Sequence, residues 1–189
     1  MPIDKVRQYP STYTMPNAPT DEWAHFAVVN DRLQFNSDGS NTRILNDNRS
    51  LVAAGSSLTL TAASHNGSTI ALDTAAGSTV ILPTSTGGGA VYKILVTVTA
   101  TSNSHVIRVG NATDEFRGFV IQDASEATAP NIWWAADNDD TITLNRSTTG
   151  LAAQGEYFEI VDATSGHYFV RGYSQASGIE ATPFSATVS

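Results

Sequence analysis

The chain has 189 residues, no cysteine and a formal net charge of −8. Without cysteine there are no disulfides, thiolate metal sites or thiol nucleophiles, and 10 basic residues against 18 acids exclude a phosphate-neutralising nucleic-acid binder. Charged residues make up only 15% of the chain, while 23 Thr, 19 Ser and 24 Ala stand in their place, a composition of sheet surfaces rather than helix surfaces.

The length favours one ordinary domain, and no apolar run approaches the roughly 20 residues of a membrane helix. Residues 1–22 stand apart. They hold four of the seven prolines (Pro2, Pro10, Pro16, Pro19) and apolar side chains without a period. Disordered leaders seldom carry so many aromatics, so this stretch reads as an extended N-terminal arm. Its docking residues are expected to be Ile3, Val6, Tyr9, Tyr13 and Met15. Residues 23–189 then form a single domain.

From Trp23 onward, short apolar runs follow one another. Phe26 to Val29, Leu33 to Phe35 and Arg43 to Leu45 read as strands. Leu58, Leu60 and Ala62 alternate with Thr59 and Thr61, the period of a half-buried strand. Asn66-Gly67 then signals a hairpin into Ile70 to Leu72. Gly67-Ser68-Thr69-Ile70 returns ten residues later as Gly77-Ser78-Thr79-Val80, a spacing that suits a meander.

Gly87-Gly88-Gly89 opens the longest run, with Tyr92, Ile94, Val96 and Val98 on one face and Lys93, Thr97 and Thr99 on the other. His105 to Val109 is its expected antiparallel partner. Phe116–Ile121, Ile132–Ala135, Thr141–Asn145, Glu156–Asp162 and His167–Gly172 follow, the last two as a hairpin closed by Ser165-Gly166. The tail from Ser174 either folds back across an edge strand or hangs free. No stretch has sustained helical periodicity. The pattern predicts an all-β chain, an antiparallel β-sandwich or jelly roll carrying an extended N-terminal arm.

Templates for chemistry mostly fail. There is no Gly-x-Ser-x-Gly elbow and no Gly-Lys-Ser/Thr phosphate loop. His25, His65, His105 and His167 are far apart in sequence, and each reads first as a strand-end or partly buried side chain. Asp137, Asp139 and Asp140 form the one dense oxygen cluster, a weak candidate for a cation and equally typical of a turn. Trp133 and Trp134 must point to opposite faces of a strand, one into the core and one out, where it can anchor an interface or stack on a sugar. Asn48, Asn66, Asn111 and Asn145 each begin an Asn-x-Ser/Thr triplet, more simply read as turn chemistry. No cofactor is expected.

The run Ile81–Tyr92, the turn Thr101–Ile107, Asp140–Asn145 with Thr148–Gly150, Gly155 with Glu159-Ile160, and Ala181–Ser185 together resemble small virion proteins of tailed bacteriophages that decorate or cement the capsid. The resemblance covers roughly residues 55–189 and leaves the arm outside. It implies a non-enzymatic structural protein on the capsid exterior, made in the host cytoplasm. Its implied partners are the major capsid protein and itself as a homotrimer, without nucleic acid or membrane. Contacts are then expected through the arm residues and Trp133 or Trp134. The alternative is a head-fibre or tail-associated module that binds host glycans; a hydrolase on the same scaffold is the remaining reading.

Overall fold

The computed structural model describes residues 51–124, 129–151 and 153–188, and from the first 49 residues the backbone of four strands. The chain divides into two units, Met1–Arg49 and Ser50–Ser189. In the first, β1 (Gln8–Tyr9) pairs in parallel with β2 (His25–Val29), which continues antiparallel through β3 (Arg32–Asn36) to β4 (Thr42–Ile44). The division falls at 49/50, and the expected arm, residues 1–22, belongs to the first unit. The pairing of β1 with β2 ties the early segment to the strands that follow. Tyr9 lies in β1; Ile3, Val6, Tyr13 and Met15 lie outside the described residues.

The second unit is nearly all β. Its strands are β5 (Leu51–Ala53), β6 (Ser57–Thr59), β7 (Thr69–Leu72), β8 (Thr79–Ile81), β9 (Val91–Val96), β10 (His105–Arg108), β11 (Glu115–Ala124), β12 (Asn131–Trp134), β13 (Thr141–Leu144), β14 (Tyr157–Thr164), β15 (His167–Ala176) and β16 (Phe184–Ser185). A single helical turn, α1 (Ala62–His65), begins where the Thr61 hydroxyl accepts the Ser64 N–H at 3.3 Å. Two mixed sheets result, a seven-stranded one in the order β12-β11-β15-β14-β9-β7-β5 and a five-stranded one in the order β16-β13-β10-β8-β6.

Consecutive strands from β5 to β11 alternate between these sheets. A strand that returns to its own sheet after a visit to the other comes back parallel to its predecessor, so β5, β7 and β9 are parallel neighbours, as are β6, β8 and β10. β11 and β15 are also parallel. This corrects the expectation of antiparallel pairing throughout, and with it the jelly roll, whose neighbours run antiparallel.

Two local expectations change for the same reason. Asn66-Gly67 does not close a hairpin: Gly67 (φ 78°) turns a corner from the α1 side into β7. Its echo, Gly77 (φ 97°), turns a second corner into β8 of the other sheet, and a Cβ there would lie 2.6 Å from the Ser104 carbonyl oxygen. The echoed segment therefore marks paired corners, not a meander. Likewise, residues 101–104 carry the chain from β9 to β10 in the opposite sheet, where β10 pairs with β8 and β13.

Alternation is reproduced where it was read. Tyr92, Ile94 and Val96 are buried and Lys93 is exposed; Phe158 and Ile160 are buried while Tyr157 is exposed. β14 and β15 form the expected hairpin, with a register shift between Asp162 and Thr164. The tail folds back: β16 pairs antiparallel with β13 at the edge of the five-stranded sheet, and Val188 packs on the core. One apolar cluster draws on both sheets, with Ile70, Tyr92, Ile94, Phe116 and Tyr168 from the larger and Val80, Ile107, Ile142, Leu144 and Phe184 from the smaller.

Candidate functional site

The outward face of the seven-stranded sheet carries the surface chemistry. Pairing registers align its side chains in rows across the strands. One row runs Trp134, Phe119, Arg171, Glu159, Lys93; a second runs Ile132, Ile121, Tyr173, Tyr157, Leu95; a third joins Arg117, Phe169 and Val161. These positions face outward because the alternate residues, Phe116, Val120, Phe158, Ile160, Tyr168 and Val170, fill the core.

Trp134 is 67% exposed, and Ile132, Tyr157, Phe169, Ile121 and Tyr173 are exposed beside it. The Phe119 and Trp134 rings lie 5.1 Å apart at 50°, a tilted aromatic pair. Around Gly118 the face dips into a shallow open hollow of about 490 Å³, walled by Phe119, Trp134 and Phe169 and closed at one side by Arg171 and Glu159. Arg171 Nη2 donates to Glu159 Oε1 at 2.6 Å. Arg117 bridges Glu115 at 2.6 Å and Asp137 at 3.2 Å.

Trp133 takes the opposite direction from Trp134, as strand geometry requires. It packs against the core, and its Nε1–H donates to Oε1 of the buried Gln122 at 2.6 Å, while Gln122 Nε2 donates to the Thr148 carbonyl. Of the two tryptophans, Trp134 is the one at the surface.

The Asp137–Asp140 cluster separates into distinct roles. Asp137 reaches Arg117; Asp139 Oδ2 accepts the Ala136 N–H at 2.7 Å; buried Asp140 accepts the Thr141 hydroxyl and the Thr187 and Val188 N–H groups. Among the described residues no three His, Asp or Glu side chains converge on a cation position. The three described histidines are equally separate. His105 is buried, accepting the Ser78 N–H at Nδ1 (2.8 Å) with Nε2 3.0 Å from the Val98 carbonyl. This arrangement requires the neutral Nε2–H tautomer, and burial holds its pKa below the ordinary value. His65 Nδ1 accepts from the Thr61 N–H, and His167 lies 4.0 Å from Glu115. The His25 side chain lies outside the described residues. Asn66, Asn111 and Asn145 use their side-chain oxygens to accept backbone N–H groups at corners and turns.

Sequence reasoning passed over a set of buried carboxylates that organise loops. Asp162 accepts from the Ser85 hydroxyl (2.8 Å), the Thr86 hydroxyl (3.1 Å) and the N–H groups of Thr86, Gly87 and Gly88. Asp114 accepts the Ser85 N–H and an Asn111 amide N–H. Glu156 accepts the N–H groups of Leu151 and Ala153. The available signal was the Thr84–Gly89 run, whose hydroxyls and unencumbered glycine N–H groups suit an anion. Here the anion is the chain's own carboxylate.

The chain matches no family model, no curated protein and no solved structure. Among the described residues no helix is long and apolar enough to cross a membrane.

Proposed function

We propose that the protein is a non-enzymatic virion structural protein, a β-sandwich that binds the outer surface of a tailed-phage capsid as a homotrimer and cements neighbouring capsomers. The major capsid protein is its partner, and the protein is made in the host cytoplasm. The observation that carries this reading is the outward face of the seven-stranded sheet, a broad apolar surface centred on Trp134. A patch of this kind is the largest that a monomer ordinarily exposes, and such patches are often functional. The loop-holding roles of Asp114, Asp140, Glu156 and Asp162 support a rigid scaffold. Many shallow contacts repeated by symmetry would hold a shell through avidity.

Cosedimentation with expanded and unexpanded empty shells tests the reading. The full chain should pellet with shells, and a chain lacking residues 1–22, which loses β1 but keeps the whole second unit, should keep its β-rich circular dichroism yet stay in the supernatant. No binding of the full chain to either shell form would overturn it. A glycan-binding module is the second reading, favoured by the exposed Trp134 ring beside the Arg171–Glu159 pair. Sugar binding on an array that is lost in Trp134→Ala would support that reading instead.

A further inference from the structure

We infer that the Trp134 face, on which the proposed function rests, is the surface through which copies of this chain meet one another in the assembled protein. The first argument is charge. The chain carries −8, of which −7 falls in residues 50–189, so two copies of that unit repel each other. On the outward faces of β9, β11, β14 and β15, however, Lys93, Arg117 and Arg171 stand against Glu115, Asp123 and Glu159, with Asp137 on Arg117 as a fourth acid. The face therefore holds three of the chain's 10 basic residues but only four of its 18 acids. It is close to neutral, whereas the rest of residues 50–189 holds two basic residues against eight acids, so like molecules approach there with little electrostatic penalty.

The second argument is area and shape. Trp134, Ile132, Tyr157, Phe169, Ile121 and Tyr173 are each between about a third and two-thirds exposed and lie on one continuous sheet face. Together they leave on the order of 500 Å² of apolar side chain in water, given the roughly 150–250 Å² that one aromatic can bury. With the Arg–Glu rows added, the face approaches the ~800 Å² per partner of a stable protein interface. Such faces combine an aromatic centre with a charged rim, and here Arg171 and Glu159 supply both signs for a matching copy.

The third is the sheet's end. β12 is the last strand of the sheet and reads Asn131-Ile132-Trp133-Trp134, without a charge to keep other chains away. Exposed edges are ordinarily blunted by Lys, Pro or a bulge, and among the described residues Pro130, just ahead of the strand, is the one such residue beside it. An uncharged edge flanking an apolar face is tolerable if both are covered in the assembled state. The inference rests on the proposed function for the number of copies but not for the contact itself.

Sedimentation equilibrium of the full chain, with shell cosedimentation alongside, separates the possibilities. The wild type should sediment as one closed species, at about 60 kDa for three 20.0 kDa chains. Trp134→Asp should associate at least tenfold more weakly and run at 20.0 kDa with unchanged circular dichroism. Ile179→Asp, exposed and off the face, should leave the species intact. A second variant, Arg171→Glu, turns the face to two cations against five acids; its assembly should fail in low salt and return as salt screens the repulsion. A monomeric wild type, or a Trp134→Asp species of unchanged mass, overturns the inference. If Trp134→Asp keeps its mass but leaves the shells, the face belongs to the capsid and the proposed function survives. A species of two copies that falls apart in Trp134→Asp supports the contact and removes the trimer.

Discussion

Removing the Asp162 carboxylate should unlock the loop from Ser85 to Gly88. Asp162 sits on the inward side of β14, is 3% exposed, and takes hydrogen bonds from two hydroxyls and three successive backbone N–H groups. In Asp162→Ala the Ser85 hydroxyl keeps an acceptor, because the Thr164 carbonyl is also 2.8 Å away. The N–H groups of Thr86, Gly87 and Gly88 do not. A bond to a charged acceptor is worth roughly 1.5–3 kcal/mol, but these three residues are exposed, so water recovers part of each loss. A total cost of about 3 kcal/mol follows, a large share of the roughly 5–15 kcal/mol of an ordinary domain. Asp162→Asn keeps the shape but turns an amide N–H₂ towards donors, and should cost about 2 kcal/mol.

Acid supplies an independent check on the same site. Burial alone would raise the Asp162 pKa, yet bonds from Gly87, Ser85 and Thr86 outweigh it and hold the pKa below its ordinary 3.8. A carboxylate with a depressed folded pKa contributes stability above the unfolded value and loses it as pH falls through the folded one. Urea unfolding followed by circular dichroism should therefore show a gap between wild type and Asp162→Asn at pH 7 that narrows below pH 3.8. An Asp162→Ala cost under about 0.5 kcal/mol, the scatter of ordinary surface substitutions, would refute the reasoning, as would a gap to Asp162→Asn that ignores pH.

Two further outcomes can be measured on the same material. Gly118→Ala should destabilise by about 2–4 kcal/mol, because φ is 119° and the new Cβ would sit 2.0 Å from the Val170 carbonyl oxygen; a thermal midpoint equal to wild type would contradict this. His105 is neutral when folded, with a pKa lowered chiefly by burial, so the unfolded chain takes up a proton first as pH falls. Its contribution to stability should be constant above pH 6.5 and decline below it by at most about 1.4 kcal/mol per pH unit, and a His105 imidazole that titrates normally by NMR would disprove it.

Local periodicity located the strands well. The runs Tyr92–Val96, Phe158–Ile160 and Trp133-Trp134 sort onto opposite sides of their strands from sequence alone, since successive strand side chains must take opposite sides. Trp134 at the surface and Trp133 against the core follow from that geometry and from which neighbour carries the buried amide, Gln122. The sequence could not show that Phe119, Tyr157, Phe169 and Tyr173 would join Trp134. Their alignment depends on the parallel register of β11 with β15, residues about 50 positions apart. The Asp162 hub was hidden for a similar reason, because its loop partners precede it by more than 70 residues.

What the sequence by itself determined is the alternation, and hence the β class, the strand positions and which residues share a side of each strand. All of these follow from interactions between near neighbours. Only the tertiary structure decided which sheet each strand joins. A turn such as Asn66-Gly67 or residues 101–104 redirects the chain equally well into a hairpin or around a corner. The choice belongs to the shared core, where burying Ile70 beneath one sheet and Val80 beneath the other satisfies both.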